Sequence, residues 1–130
     1  MLQISLKSEY GLLFLLTLAR RKGECLSLTK ISSYQKLPYR YLSQIAIDLK
    51  NAGLVESREG ARGGYSLTKH PQDVKLSDVI TILDGETGLI QCQRGKSCAL
   101  SNTCQIKGVW QKIQTEIGEV LRKYTIQDLL

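Results

Sequence analysis

Residues 37–69, LPYRYLSQIAIDLKNAGLVESREGARGGYSLTK, narrow the available folds more than any other stretch of the chain. Leu42, Ile45, Ala46 and Leu49 fall at i, i+3, i+4 and i+7, which makes one apolar stripe along a helix. Pro38 suits the first turn of that helix, where its missing N–H costs nothing, and Gly53 suits its end. Two short strands are expected next, Leu54 to Arg58 and Tyr65 to Thr68, joined by the Gly-rich tip GARGG. A shorter helix, Leu28 to Gln35, comes before, with Ser27 in place to cap it. Helix, turn, helix and hairpin in that order predict a winged helix-turn-helix. In such a unit the first helix supports, the second enters the DNA major groove, and the hairpin reaches the backbone or minor groove.

The flanking segments are also helical in pattern. Residues 5–21, SLKSEYGLLFLLTLARR, are rich in Leu, free of Pro and basic at the end, and Gly23 is a plausible stop. Residues 77–84, SDVITILD, predict a short helix capped by Ser77. In QIKGVWQKIQTEIGEVLRKY, the residues Ile106, Val109, Trp110, Ile113, Ile117, Val120, Leu121 and Tyr124 keep helical spacing. So long an apolar stripe needs a covering surface, either its own domain or the same helix of a second chain. A homodimer is expected, because a DNA-reading dimer needs such an element. The expected fold is mainly α with a small β-hairpin wing. Residues 1–74 would form the winged helix-turn-helix domain. Residues 75–130 would form a linker helix, a cysteine loop and a long dimerisation helix. A chain of 130 residues is enough to bury a real core.

Charge points to the partner. The formal net charge is +6; residues 1–70 hold 11 Lys and Arg against 5 Asp and Glu, and residues 71–130 hold 7 of each. A basic half on a neutral half suggests a surface for a polyanion, here double-stranded DNA, with a solvated basic face as the plain alternative. On the helix that carries the stripe, Arg40, Ser43, Gln44 and Lys50 face away from the core, and Tyr39 and Tyr41 stand at its start. Arg donates twice to a guanine edge, Gln pairs with adenine, and Ser serves either; Tyr and Lys suit phosphates. No acid interrupts this face before Asp48. At the wing, Arg58 and Arg62 bracket the tip, and Gly60, Gly63 and Gly64 remove side-chain bulk so that backbone can approach DNA. A simple tight turn is the alternative there. The missing Lys-Ser/Thr pair, and a strand rather than a helix after the tip, argue against a phosphate-binding P-loop.

Other classes are disfavoured. The longest apolar run, Leu12 to Leu16, is far too short to span a membrane. The start, MLQISLKSEYG, lacks the marks of a signal peptide, so a reducing cytoplasm is the expected compartment. A lone His70, expected at the surface, and scattered acids give no nucleophile–base pair, so the chain is not expected to be an enzyme.

Three of the 4 cysteines, Cys92, Cys98 and Cys104, stand five residues apart in CQRGKSCALSNTC. A disulfide clip, a zinc site and a cradle for a redox cofactor compete. A cytoplasmic setting weakens the first. The spacing fits neither closed zinc sites nor ferredoxin-type clusters. Arg94 and Lys96 lie beside the thiols and would stabilise thiolates, which favours ligation or redox reactivity. Cys25, in GECLSL between the first two helices, is not expected to join them.

Five segments in order carry a family resemblance: LKSEYGLLFLLTLA, LPYRYLSQIAIDLKNAGLV, GARGGYSL, LSDVITILDG and C-x5-C-x5-C before the long helix. Together they resemble the IscR/NsrR-type iron–sulfur transcriptional regulators, the Rrf-two family, over essentially the full length. The resemblance implies a dimeric winged helix with crossed long helices. It implies that Cys92, Cys98 and Cys104 hold a 2Fe–2S or 4Fe–4S cluster whose state sets DNA affinity. In the assembly-regulator branch a His three residues after the last Cys completes the site. Lys107 stands there in this chain, a poor ligand when protonated. In the nitric-oxide-sensing branch an acid near the start of the first helix, from the other subunit, serves instead, and that position falls on Glu9. The plain alternative for Glu9 is a helix-start acid favoured by the dipole. The implied function is a DNA-binding regulator, expected to repress, that senses iron, redox state or nitric oxide. The alternative is a cluster-free regulator governed by thiol redox, a protein partner or a small molecule.

Overall fold

A computed structural model of the chain describes residues 3–85 and 103–130. The expected cysteine loop, with Cys92 and Cys98, lies outside the described residues.

Helix α1 (Leu6–Arg20) begins at Ser5, whose hydroxyl accepts the Ser8 N–H at 3.1 Å. That bond satisfies one of the unpaired donors of the first turn. Phe14, Leu15 and Leu18 of α1 enter the core. Helix α2 (Leu28–Gln35) starts at the Ser27 cap, as expected, and stops where Lys36 turns left-handed, φ 54°. Gln35 Nε2 donates to Thr17 Oγ1 at 2.8 Å and fastens α2 to α1. The turn delivers α3 (Tyr39–Asn51), with Pro38 as its N-cap rather than inside its first turn. The predicted stripe Leu42, Ile45, Ala46 and Leu49 is the buried face of α3.

Strands β1 (Val55–Arg58) and β2 (Gly64–Leu67) pair antiparallel, Val55 opposite Leu67 and Arg58 opposite Gly64. The other edge of β2 bridges Leu26: the Leu26 N–H donates to the Tyr65 carbonyl at 2.9 Å, and the return bond is 2.8 Å. Edge-to-face contact between Tyr65 and Phe14, 5.9 Å between centroids, seats the hairpin against α1. The wing is therefore docked at its base.

After a short 3-10 turn (Pro71–Asp73) come α4 (Leu76–Asp84), α5 (Lys107–Arg122) and α6 (Ile126–Leu129). Ser77 does not cap α4. Lys75 is the N-cap and bridges Thr125, and the Leu76 N–H is taken by the Tyr124 carbonyl at 3.0 Å. The tertiary contact does the work expected of the serine, whose hydroxyl is buried with no hydrogen-bond partner among the described residues. Helix α6 was not expected. Ile126 is fully buried, and its N–H donates to the Val74 carbonyl at 2.9 Å.

One apolar cluster contains Phe14, Leu42, Val74, Val79, Leu83 and Ile126, so packing is continuous across the boundary expected at residue 74. Helix α5 contributes nothing to that core: none of its residues is buried. Of its stripe, Trp110, Ile113, Ile117 and Leu121 are half-buried, while Ile106, Val109, Val120 and Tyr124 are 50–62% exposed. Among the described residues, no helix is long and apolar enough to cross a membrane.

Candidate nucleic-acid interface and cysteine site

The buried stripe of α3 determines what its other side presents. At 100° per residue, Arg40, Gln44, Ile47 and Asn51 recur opposite the stripe, and all four are exposed. Ile47 and Asn51 were missed from the sequence, although they continue the i, i+4 series that Arg40 and Gln44 begin. Ser43 is half-buried and donates to the Arg40 carbonyl at 3.0 Å. Gln44 Nε2 donates to Asp48 Oδ1 at 3.2 Å, and Lys7 Nζ of α1 lies 2.6 Å from Asp48 Oδ2. The one acid of α3 is thus paired with a lysine and bounds the face on the α1 side. Tyr39 and Tyr41 are half-exposed at the helix start, and Tyr41 stacks edge-on against Tyr10 at 5.8 Å.

Lys50 points toward the wing: its Nζ donates to Ser57 Oγ of β1 at 2.6 Å. Arg58 ends β1, Arg62 occupies the tip, and both are exposed. The space cleared by Gly63 and Gly64 is used inside the chain. A Cβ on Gly63 would stand 2.2 Å from the Arg58 carbonyl oxygen. One on Gly64, where φ is +146°, would stand 2.3 Å from the Leu26 carbonyl carbon. Close packing of Gly63 on the Arg58–Gly60 backbone, and of Gly64 on the Leu26 segment, therefore gives each glycine a structural reason of its own.

Of the cysteine site, the described residues include Cys104 and Glu9. Cys104 is a free, half-buried thiol just before Ile106, the N-cap of α5. Glu9 is exposed in the first turn of α1. Ser5, which caps α1, also donates through its hydroxyl and its N–H to the Asp84 carboxylate at the end of α4. The chain thus leaves α4 for the cysteine segment beside the first turn of α1, and returns through Cys104 into α5. Three thiols and a carboxylate are a chemically coherent donor set for an iron–sulfur cluster: soft sulfur for iron, and a harder, more exchangeable oxygen. Among the described residues no three potential metal ligands converge; Cys92 and Cys98 lie outside them. Lys107 is the first residue of α5. Cys25 is half-buried between α1 and α2, and His70 is exposed ahead of the 3-10 turn.

Comparison with known proteins fixes the class. Residues 4–130 match the family model described as Rrf2, iron-dependent transcriptional regulator. The solved structure of CymR (YrzC), the global cysteine regulator of B. subtilis, superposes with a TM-score of 0.80 at 36% identity, covering 99% of this chain and 96% of that one. IscR of T. potens superposes with a TM-score of 0.76 at 35% identity, covering 98% and 85%. The transcriptional regulator NsrR of Halalkalibacterium halodurans is 30% identical over 132 residues, 99% of this chain and 90% of its own length. These relatives are regulators rather than enzymes, and the mainly helical chain with its two-stranded wing shares their fold. The chain belongs to the Rrf2 family of helix-turn-helix transcriptional regulators.

Proposed function

We propose that the chain is a cytoplasmic, homodimeric, sequence-specific repressor whose affinity for double-stranded DNA is set by an iron–sulfur cluster. The observation that carries the DNA-reading part is the exposed face of α3, with Arg40 and Gln44, together with the exposed Arg58 and Arg62 of the wing. Arg40, Ser43 and Gln44 read base edges. Tyr39, Tyr41, Lys50, Arg58 and Arg62, with the backbone at Gly63 and Gly64, lie along the phosphates. Residues 1–74 read DNA, and residues 75–130 pair the chains and sense.

The pairing rests on α5. Its exposed Ile106, Val109, Val120 and Tyr124 are covered by the same helix of a second chain, which sets two α3 helices at half-site spacing. The sensing rests on Cys92, Cys98 and Cys104, with Glu9 from the second chain as fourth ligand. When bound, the cluster supplies a centre that iron supply, oxidants or nitric oxide alter. Cys104 stands just before Ile106, the N-cap of α5, and Ser5 joins α1 to the end of α4 at Asp84. A change at the cluster therefore biases where each α3 stands relative to its twin.

A second reading, a cluster-free regulator with thiols as its input, draws on the similarity to the protein described as the global cysteine regulator of B. subtilis. Anaerobic purification separates the two. Sulfide-to-iron charge-transfer bands with matching iron and sulfide, lost in Cys98→Ser and kept in Cys25→Ser, support the cluster. A protein that stays colourless after reconstitution yet binds DNA supports the second reading.

A further inference from the structure

We propose that Ile47 reads the C5-methyl group of a thymine in the major groove, which makes it a specificity residue alongside Arg40 and Gln44. The inference rests on the reading of α3 as the helix that enters the groove.

Ile47 is 50% exposed on a helix whose core side is already complete, with Leu42, Ile45, Ala46 and Leu49 each at 0%. It is not a core residue at the edge of its stripe, because it stands on the far side of the helix. Its neighbours one turn away are Ser43 and Gln44 before it and Lys50 and Asn51 after it, none of them acidic. A branched aliphatic side chain is thus set in the middle of a face that otherwise offers hydrogen-bonding groups.

The major groove has one methyl group on its base edges, that of thymine; cytosine shows only a small C5–H there, and the remaining positions are donors and acceptors. An isoleucine among polar readers matches that group and no other. Ile47 lies about 4.5 Å along the helix axis from Gln44, close to the rise of one base step, ~3.4 Å. Gln44 on an adenine and Ile47 on a neighbouring thymine are therefore compatible in spacing.

The test begins with duplexes enriched from a random pool by the full chain. Each thymine is then replaced, one at a time, by deoxyuridine, which removes the methyl and leaves the pairing edge intact. The wild type is expected to lose about fourfold in affinity at one such position, the effect of burying one methyl-sized group. Ile47→Ala is expected to bind the thymine and uracil duplexes equally, with an unchanged thermal midpoint showing that it folds. The inference is overturned if no uracil substitution matters to the wild type, or if the loss persists in Ile47→Ala. Arg40→Ala and Gln44→Ala tell the two levels apart. If they change base preference while uracil is silent, only the role of Ile47 fails. If they too leave the preference intact, α3 does not read the bases and the underlying reading fails with it.

Discussion

Lys50 Nζ donates to Ser57 Oγ at 2.6 Å, so α3 and the first strand of the wing are joined side chain to side chain. A DNA reader of this shape needs its groove helix and its wing in a fixed relation, and this bond contributes to it. In a double-mutant cycle of Lys50→Met and Ser57→Ala, urea unfolding is expected to give a coupling of about 0.5 kcal/mol, at the low end because both groups are exposed. Additive single mutants would show that the bond has no part in stability.

Gly64 should tolerate substitution far less than Gly60. An alanine at Gly64 meets backbone of Leu26 and Ser27 at 2.3–2.6 Å, and φ is +146°. At Gly60 φ is +107° and nothing lies within 4 Å, so only the conformational strain applies. Gly60→Ala is expected to destabilise by about 1 kcal/mol and Gly64→Ala by about 2–3 kcal/mol. Equal losses in chemical denaturation would contradict the docked wing base.

Ser77→Ala is expected to hold or raise stability, by up to about 1 kcal/mol. The hydroxyl it removes is buried without a partner among the described residues, and Lys75, not Ser77, starts α4. A drop in the unfolding midpoint would mean that Ser77 has a polar partner after all.

These positions also show how far the fold was legible in advance. The stripe from Leu42 to Leu49 announced α3 because helical period and burial are the same signal. The Gly-rich tip announced the hairpin. Ser77 misled because a serine before an apolar run is a local cap signal, whereas the Lys75–Thr125 bridge that overrides it joins distant residues. Helix α6 was hidden for a related reason. Thr125 and Asp128 form a capping box, but four residues carry no readable period, and burial of Ile126 depends on the Val74 segment. At the interface, Arg40 and Gln44 followed from the stripe by elimination. Ile47 followed from the same geometry, but a search for polar readers passed over it. The inward role of Gly64 depends on Leu26, which no local pattern reveals.

Dimerisation through α5 should be removable without unfolding the chain. Val109 and Val120 are 62% and 50% exposed, so glutamates there disturb little within one chain. The Val109→Glu, Val120→Glu variant is expected to sediment as a folded monomer and to bind DNA about 100-fold more weakly or worse, having lost its second half-site. A dimer that survives would place the pairing surface elsewhere.

The central claim is that the cysteine site governs DNA affinity. The most direct measurement is the dissociation constant of one anaerobic preparation for its selected duplex, before and after iron chelation, at fixed salt. The account predicts a change of about tenfold or more between the two forms, within the usual range of allosteric coupling, and none in Cys98→Ser. Equal affinity of the two forms in the wild type would contradict it.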